Sequence, residues 1–428
     1  MPNLMKKFLL PLGFLILLVS CKSTGNNSNK SSENPAQSTA NVTQTPVSQS
    51  NLPPVETKEP NTPAYKPAFE GQTRIAGAKT ATPYDVNVVT SDLKNPWSIA
   101  PMPDGRFFIS EKNSGTFRIV SSDGQVSAPI TGAPKVDASG QGGLLGVTLD
   151  PGFAGNKMVY WMFSEPVDGG NHAAVAKGKL SADEKTMENV QVFYRVQPTY
   201  PGRLHYGGKL AFNKDGHLFV ATGERSDLTT RPLAQDNNTT LGKMLLITTD
   251  GKAVTDPAVL IPQNQKPEIF SSGHRNPLGI ALHPVTGELW AAEMGPKGGD
   301  EINIIHRGKN YGWPTITYGI EYSGKTIGEG ITQKAGMEQP IYYWDPSISP
   351  GGIAFYTGDD MSEWKNNLFI GSLGSTHLIR LLLDGNKVVG EERLLVNENQ
   401  RFRDVAVGKD GKLYAITDSG RLYSISKK

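Results

Sequence analysis

Six times between residues 104 and 415 the chain repeats one device: a tight turn, then a short run of aromatic and β-branched residues. The first three copies are Asp104-Gly105-Arg106-Phe107-Phe108-Ile109, Gly155-Asn156-Lys157-Met158-Val159-Tyr160 and Asp215-Gly216-His217-Leu218-Phe219-Val220. The others are Thr286-Gly287-Glu288-Leu289-Trp290-Ala291, Asn366-Asn367-Leu368-Phe369-Ile370 and Asp410-Gly411-Lys412-Leu413-Tyr414-Ala415. Gly tolerates the positive φ that tight turns demand, and Asp-Gly pairs favour hairpins. Aligned on Phe108, Val159, Phe219, Trp290, Phe369 and Tyr414, the copies lie about 61 residues apart on average. A unit of that size holds several short strands, cannot bury its apolar face alone, and must stack on its neighbours. The expected fold is therefore all-β: a six-bladed β-propeller of four-stranded antiparallel blades, spanning residues 80–428. An irregular β-sandwich is the competing arrangement, but it does not account for the shared aromatic pattern after each turn. A strand from the start of the domain is expected to complete the blade beside the final repeat and close the circle.

Composition agrees with a turn-rich chain: 47 Gly and 30 Pro among 428 residues. With 43 Lys+Arg against 41 Asp+Glu the net charge is +2, which gives no reason to propose nucleic acid as a partner. The one cysteine, Cys21, ends a targeting segment. Lys6 and Lys7 precede an apolar run, Phe8 to Val19, that is too short for a comfortable transmembrane helix. Leu18-Val19-Ser20-Cys21 resembles the lipobox of bacterial lipoproteins. On that reading residues 1–20 are a signal peptide and Cys21 carries the lipid that holds the protein on a membrane. Lys22 after the cysteine makes the outer membrane, facing the periplasm, the expected destination; a plain secretory signal is the alternative. Residues 21–79 are rich in Ser, Thr, Asn, Gln and Pro and poor in large apolar residues, so they read as a flexible tether.

The densest chemistry lies between Ser271 and Trp313. A cationic loop, Gly273-His274-Arg275-Asn276-Pro277, precedes a Gly/Pro turn with acids, Gly295-Pro296-Lys297-Gly298-Gly299-Asp300-Glu301, and a second turn at Asn310-Tyr311-Gly312-Trp313-Pro314. Bent backbone of this kind can aim several carbonyl oxygens inward, which suits a hard cation; ordinary tight turns are the plainer reading. His205 sits on the Gly-flanked loop Pro201 to Gly208, where a histidine can serve as a general base near neutral pH. Arg401 and Arg403 are two apart, hence on one side of an extended segment, and guanidinium forks bind carboxylates. Gln141 sits on another Gly-rich loop, Gly223 to Asp236 forms a long polar loop, and Tyr322 belongs to an aromatic-rich region. No pair of histidines has zinc-ligand spacing.

These motifs together (Gln141-Gly142-Gly143, His205-x-Gly-Gly, Gly273 to Pro277, Gly295-Pro296 through Asn303, Asn310 to Pro314, and Arg401-x-Arg403-Asp404) resemble the soluble glucose/sorbosone dehydrogenases, nearest the bacterial aldose sugar dehydrogenases. Those are quinoproteins that use pyrroloquinoline quinone (PQQ). The resemblance implies an oxidoreductase that takes the C1 hydroxyl of an aldose sugar to the lactone by hydride transfer to PQQ, with an external electron acceptor as partner. It implies His205 as general base, with Arg275 beside it at the reacting oxygens. Gln141, Arg275, Asn276, Tyr322, Arg401 and Arg403 are implied as cofactor contacts. Carbonyls of Gly295 and Pro296 would ligate the Ca²⁺ that activates PQQ, and those of Glu301 and Tyr311 a second Ca²⁺. The chain departs from the family at Ser372-Leu373-Gly374, where relatives carry a lysine, leaving Ser375 and His377 as candidate substitutes. Leu204 stands before the histidine where some relatives have Asp, which removes an orienting carboxylate from that position. A PQQ-free propeller that binds sugar or protein, and a Ca²⁺-dependent lactonase, are the alternative functions.

Overall fold

The structure, a computed structural model, describes residues 52–255 and 264–428. The signal segment, Cys21 and the tether up to residue 51 lie outside the described residues.

Each repeated turn joins the first and second strands of a blade, and its aromatic run becomes the second strand. In the first blade these strands are Pro96–Pro101 and Phe107–Glu111, followed by Thr116–Val120. The second blade runs Leu144–Leu149, Met158–Val167, Gly170–Leu180 and Met187–Arg195, and the third Gly207–Phe212, Leu218–Thr222, Lys243–Ile247 and Ile269–Ser272. The fourth is Pro277–Leu282, Leu289–Glu293, Asp300–Ile305 and Tyr342–Trp344, and the fifth Pro350–Phe355, Leu368–Ser372, Leu378–Asp384 and Lys387–Leu394. The sixth runs Phe402–Val407, Leu413–Thr417 and Leu422–Lys427, and takes Tyr84–Thr90 as its outer strand. All pairings within blades are antiparallel. The expected propeller of six blades is therefore present, with two corrections.

First, the blade after Asn95 has three strands rather than four. Only single bridges, Phe117 with Ile130 and Val120 with Val126, stand where its outer strand would run. Between those bridges the ladder is broken at Ser127, whose Oγ rather than a backbone carbonyl accepts the Ile119 N–H (2.9 Å). Second, the early strand Tyr84–Thr90 completes the last blade itself, not its neighbour, pairing Tyr84 with Lys427 through Thr90 with Leu422.

The repeat positions Phe108, Val159, Trp290 and Phe369 are fully buried, and Phe219 and Tyr414 nearly so. They lie in the apolar layers between adjacent blades, for example Phe108 with Phe117, Val159 and Trp161, and Trp290 with Phe355 and Ile370. Burying one such side chain contributes about 1.5–3 kcal/mol. Stacking faces like these is what makes one blade depend on the next. The innermost strands contact one another in sequence around the ring, the last returning to the first. At its centre Lys209 meets Asp404 and donates to Ser98 Oγ (2.9 Å), so blades one, three and six share one buried ion pair.

Residues 52–79 depart from the tether reading. Gly77 bridges to Glu391 on the outer strand of the fifth blade, and the Tyr343 N–H donates to Gln72 O on the outer strand of the fourth. This stretch is held by polar contacts, which a search for apolar periodicity does not register.

Candidate active site

The Asp-Gly turns occupy one end of the ring. The connections at the opposite end gather the candidate residues around a cavity of about 290 Å³. Gln141, Tyr206, Leu278, Met294, Arg401 and Arg403 line it, joined by Trp97, Lys112 and Asp418.

The His205 loop is the most constrained part. His205 has φ +43°, a left-handed conformation uncommon for a residue with a side chain, and is only 6% exposed. Its backbone N–H donates to Gln141 Oε1 (2.8 Å). Gly207, next but one, donates its N–H to Asn276 Oδ1 (3.0 Å). Gln141 and Asn276 thus hold the backbone on either side of the histidine. Arg225 closes the loop from behind: its guanidinium donates to Leu204 O (3.1 Å) and Asn171 Oδ1 (2.6 Å), bonds Gly202 O, and lies over the Tyr206 ring.

The imidazole Nδ1 of His205 is 2.6 Å from Glu224 Oε1, and Glu224 is 1% exposed. The carboxylate fixes the tautomer with the proton on Nδ1 and leaves Nε2 as the basic nitrogen. Burial pulls the His205 pKa down to about 4, the positive charge of Arg275 adds to that, and Glu224 works the other way. The ring is therefore neutral at pH 7, the state a base requires. The orienting carboxylate thought absent because of Leu204 is supplied by Glu224. It follows the second strand of the third blade, where the ladder sets Thr222 opposite Gly207. Continuing that register brings residue 224 beside residue 205, a signal that the sequence alone carried only as part of a polar loop.

Arg275 is buried. Its Nη1 donates to Met294 O (3.0 Å) and Gly295 O (2.6 Å), its backbone N–H to Glu293 Oε2 (2.9 Å), and its Nε is buried without a partner. Gly295 O is thus engaged by a guanidinium, and Pro296 O accepts from Ser347 Oγ (3.1 Å). Asp300 folds this turn by accepting from the N–H groups of Gly295, Ile348 and Ser349, each at 2.7 Å.

Glu301, the second residue of its strand, is paired with Glu293 on one side and Tyr343 on the other. Burial raises its pKa, and the facing Glu293 charge raises it further. Asn303 Nδ2 donates to Glu301 Oε2 (3.0 Å), while Asn303 Oδ1 is buried without a partner. Tyr311 stacks on His274 (ring centroids 4.9 Å), whose Nδ1 is 3.4 Å from Glu293 Oε2. Two facing carboxylates, buried Glu293 and half-buried Glu301, and an orphaned amide oxygen form the kind of oxygen-rich cluster a hard cation neutralises.

Arg401 and Arg403 clamp Asp418 between them: Arg401 Nε to Oδ2 (2.9 Å) and Arg403 Nε to Oδ1 (2.8 Å). Burial opposes ionisation of Asp418, but the two guanidiniums outweigh it and hold its pKa below the usual range. A third cation, missed in the sequence, faces them. Lys112 lines the same cavity, and burial together with the Arg403 charge lowers its pKa. Lys112 comes from the first blade and the arginines from the sixth, so only closure of the ring brings them together. Neither suggested substitute for the family lysine lines the cavity, and Ser375, whose Oγ bonds Ser372 Oγ (2.5 Å), carries no charge. His377 is buried, bonded through Nδ1 to Ser375 O (2.7 Å), and burial lowers its pKa to about 4, so it carries no charge at neutral pH. A Cβ on Gly374 would lie 2.8 Å from Ser349 Oγ and 3.0 Å from Ile348 O, so a side chain there would require Ser349 to shift. Tyr322 is 74% exposed and does not line the cavity; it sits two residues beyond Ile320, which bridges to Lys297.

Residues 93–424 match the Glucose / Sorbosone dehydrogenase family. The chain is 40% identical over 360 residues to the aldose sugar dehydrogenase YliI of Escherichia coli (strain K12), covering 83% of this chain and 96% of that one. A crystal structure of a glucose dehydrogenase superposes with a TM-score of 0.76 at 43% identity, covering 80% of this chain and 99% of the other. The PQQ-bound aldose sugar dehydrogenase of Streptomyces coelicolor gives 0.66 at 27% identity, with 81% and 99% covered. The propeller, the buried histidine with its carboxylate and the cation-lined cavity all lie within or bordering the matched span, and the chain belongs to the glucose/sorbosone dehydrogenase family.

Proposed function

We propose that the protein is a PQQ- and Ca²⁺-dependent aldose sugar dehydrogenase that oxidises the C1 hydroxyl to the lactone and passes electrons to an external acceptor. The observation that carries this reading is His205: neutral, strained, oriented by Glu224, and set on the loop that borders a cavity lined by three cations. The residues fit a planar tricarboxylate. Arg401, Arg403 and Lys112 would hold its carboxylates, and Gln141 and the unpartnered Nε of Arg275 offer further donors. When bound, PQQ supplies the two-electron acceptor that no side chain here provides.

The rest of the chemistry belongs to this chain. His205 takes the C1 hydroxyl proton at Nε2, and Glu224 stabilises the imidazolium that forms. Arg275 presents positive charge beside the reacting oxygens. The Gly295 and Pro296 carbonyls would hold the activating Ca²⁺, which would share or displace the Arg275 contact to Gly295 O. Glu301, with Glu293, Asn303 and the Tyr311 backbone, would hold the second ion.

Reconstitution of the purified protein with PQQ and Ca²⁺, followed by dye reduction over a panel of aldoses, tests the reading. We expect stoichiometric PQQ uptake and aldose-dependent reduction; no uptake and no reduction refutes it in favour of a PQQ-free binding module. His205→Ala should retain PQQ and lose about 10²–10⁴ in kcat. For the N-terminus we propose a lipid on Cys21 and residence at the outer membrane on its periplasmic side. Radiolabelled palmitate incorporation that survives Cys21→Ser removes that part.

A further inference from the structure

The segment before the family-matched region ends up in contact with the loop that supports the proposed cation turn. Asn61 donates to Asp345 Oδ1 through its backbone N–H (3.0 Å) and Nδ2 (2.7 Å). Thr62 donates to Oδ2 through its N–H (3.0 Å) and hydroxyl (2.8 Å), and Arg74 Nη2 donates to Asp345 O (2.7 Å). Asp345 is 4% exposed, and four donors from two consecutive residues saturate its carboxylate. It opens the loop 345–349 that leads from the outer strand of the fourth blade to the inner strand of the fifth.

That loop is also the seat of the Gly295–Pro296 turn. Ser347 Oγ donates to Pro296 O (3.1 Å) and accepts from the Gly298 N–H (2.8 Å). Ile348 and Ser349 donate to Asp300, which in turn accepts from Gly295. Gly298 packs so closely that a Cβ there would lie 2.5 Å from Asp345 Oδ1. Contacts therefore run from Asn61 and Thr62, through Asp345 and the loop it opens, to the Pro296 carbonyl and, by way of Asp300, to the Gly295 N–H. A buried carboxylate stripped of its donors is costly, so loosening the segment should move the loop rather than leave Asp345 bare.

We propose that residues 52–79 form a strap that positions the Gly295 and Pro296 carbonyls through Asp345, making cation retention depend on a segment outside the matched family region. This rests on the reading that those carbonyls hold the cation. The test uses the full chain with the double substitution Asn61→Ala/Thr62→Val. Thr80→Val is the comparison: it removes a buried hydroxyl that bonds Glu392 and Trp364, away from the 345–349 loop. Amide hydrogen exchange at Gly295, Gly298 and Gly299, without cofactor, should accelerate about 10-fold in the double variant and stay unchanged in T80V. The Ca²⁺ concentration for half-maximal PQQ uptake, read from the absorbance of bound cofactor, should rise about 10-fold in the double variant alone. Unchanged exchange in the double variant, equal acceleration in T80V, or an unchanged Ca²⁺ requirement each overturns the proposal. Wild-type protein that takes up no PQQ at any Ca²⁺ concentration instead refutes the functional reading, and the exchange data then decide the strap's coupling on their own.

Discussion

Glu224→Gln isolates what the orienting carboxylate does. The buried Glu224 carboxylate makes one hydrogen bond, 2.6 Å to His205 Nδ1, with its other oxygen unpartnered. Gln preserves the volume and removes the charge, so the loop should keep its shape. As the substrate proton arrives, His205 becomes an imidazolium, and a charge-assisted bond to Glu224 stabilises that state by about 1.5–3 kcal/mol, against about 0.5–1.5 kcal/mol for a neutral amide. The difference, about 1–1.5 kcal/mol, converts to a loss of about 5- to 13-fold in kcat. An amide that donates to Nδ1 and moves the proton to Nε2 extends the loss toward about 10⁴-fold, as in a triad with the wrong tautomer. PQQ uptake should not change, because Glu224 does not line the cavity. The pH profile gives a second sign. His205 titrates at about 4 against a raising influence from Glu224, so the acid limb of kcat/KM lies near pH 4 and moves lower in the variant. Steady-state dye reduction on PQQ-loaded enzyme from pH 3.5 to 8 measures both. A kcat within threefold of wild type, or an acid limb that moves upward, refutes the orienting role.

Arg403→Ala should weaken PQQ binding by about 10- to 150-fold, since it removes a charge-assisted contact, while Lys112→Met, which removes a point charge rather than a fork, should weaken it less; an absorbance titration ranks the two, and no effect of either would remove the clamp. Glu301→Gln should raise the Tm of cation-free protein, because it removes a carboxyl that burial and Glu293 hold against ionisation, and should abolish the further rise wild type shows in millimolar Ca²⁺; thermal melts with and without Ca²⁺ decide this. His205 and His377 both fall to about 4 from an unfolded value near 6.5. The folded state therefore binds fewer protons between those values, the stability they contribute is complete above pH 6.5, and it declines as pH falls toward 4, by on the order of 3 kcal/mol for each histidine at the limit. Urea unfolding at pH 7 and pH 4.5 should show that decline, and His377→Gln should remove part of it.

What the sequence disclosed depended on whether a feature is local. The turn-plus-strand copies are local, and each aromatic mark fell on the second strand of its blade, from Phe108 to Tyr414. His205, Gln141 and the arginine pair were also legible, because Gly-rich loops and Arg-x-Arg spacing are short-range signals. Lys112 was not, because its partners lie almost 300 residues away and meet it only across the closed ring. Glu224 was hidden by the absence of any fixed spacing to His205; the strand register that joins them has to be known first. Segment 52–79 was misjudged because its composition is that of a linker. Asn61, Thr62, Gln72 and Arg74 bind by hydrogen bonds to backbone and to Asp345, which hydropathy does not weigh. The missing fourth strand of the first blade turns on Ser127, whose hydroxyl takes the Ile119 N–H that a ladder would use, a contact that no sequence pattern announces.

The pairing of Tyr84–Thr90 with Leu422–Lys427 sets a timetable for the molecule. A ribosome adds about 5–20 residues per second, so the roughly 340 residues between the two partners take tens of seconds to make. Through that interval the early strand has no partner, and the last blade cannot form. Its alternation suits the wait: Asp85 and Asn87 sit exposed among the valines, which discourages pairing with a stranger. In the finished ring it remains an edge, with a neighbour on one side only. Loss of even the final six residues would therefore strand both ends of the chain at once, and a nascent protein interrupted near its end would be left open rather than slightly shortened.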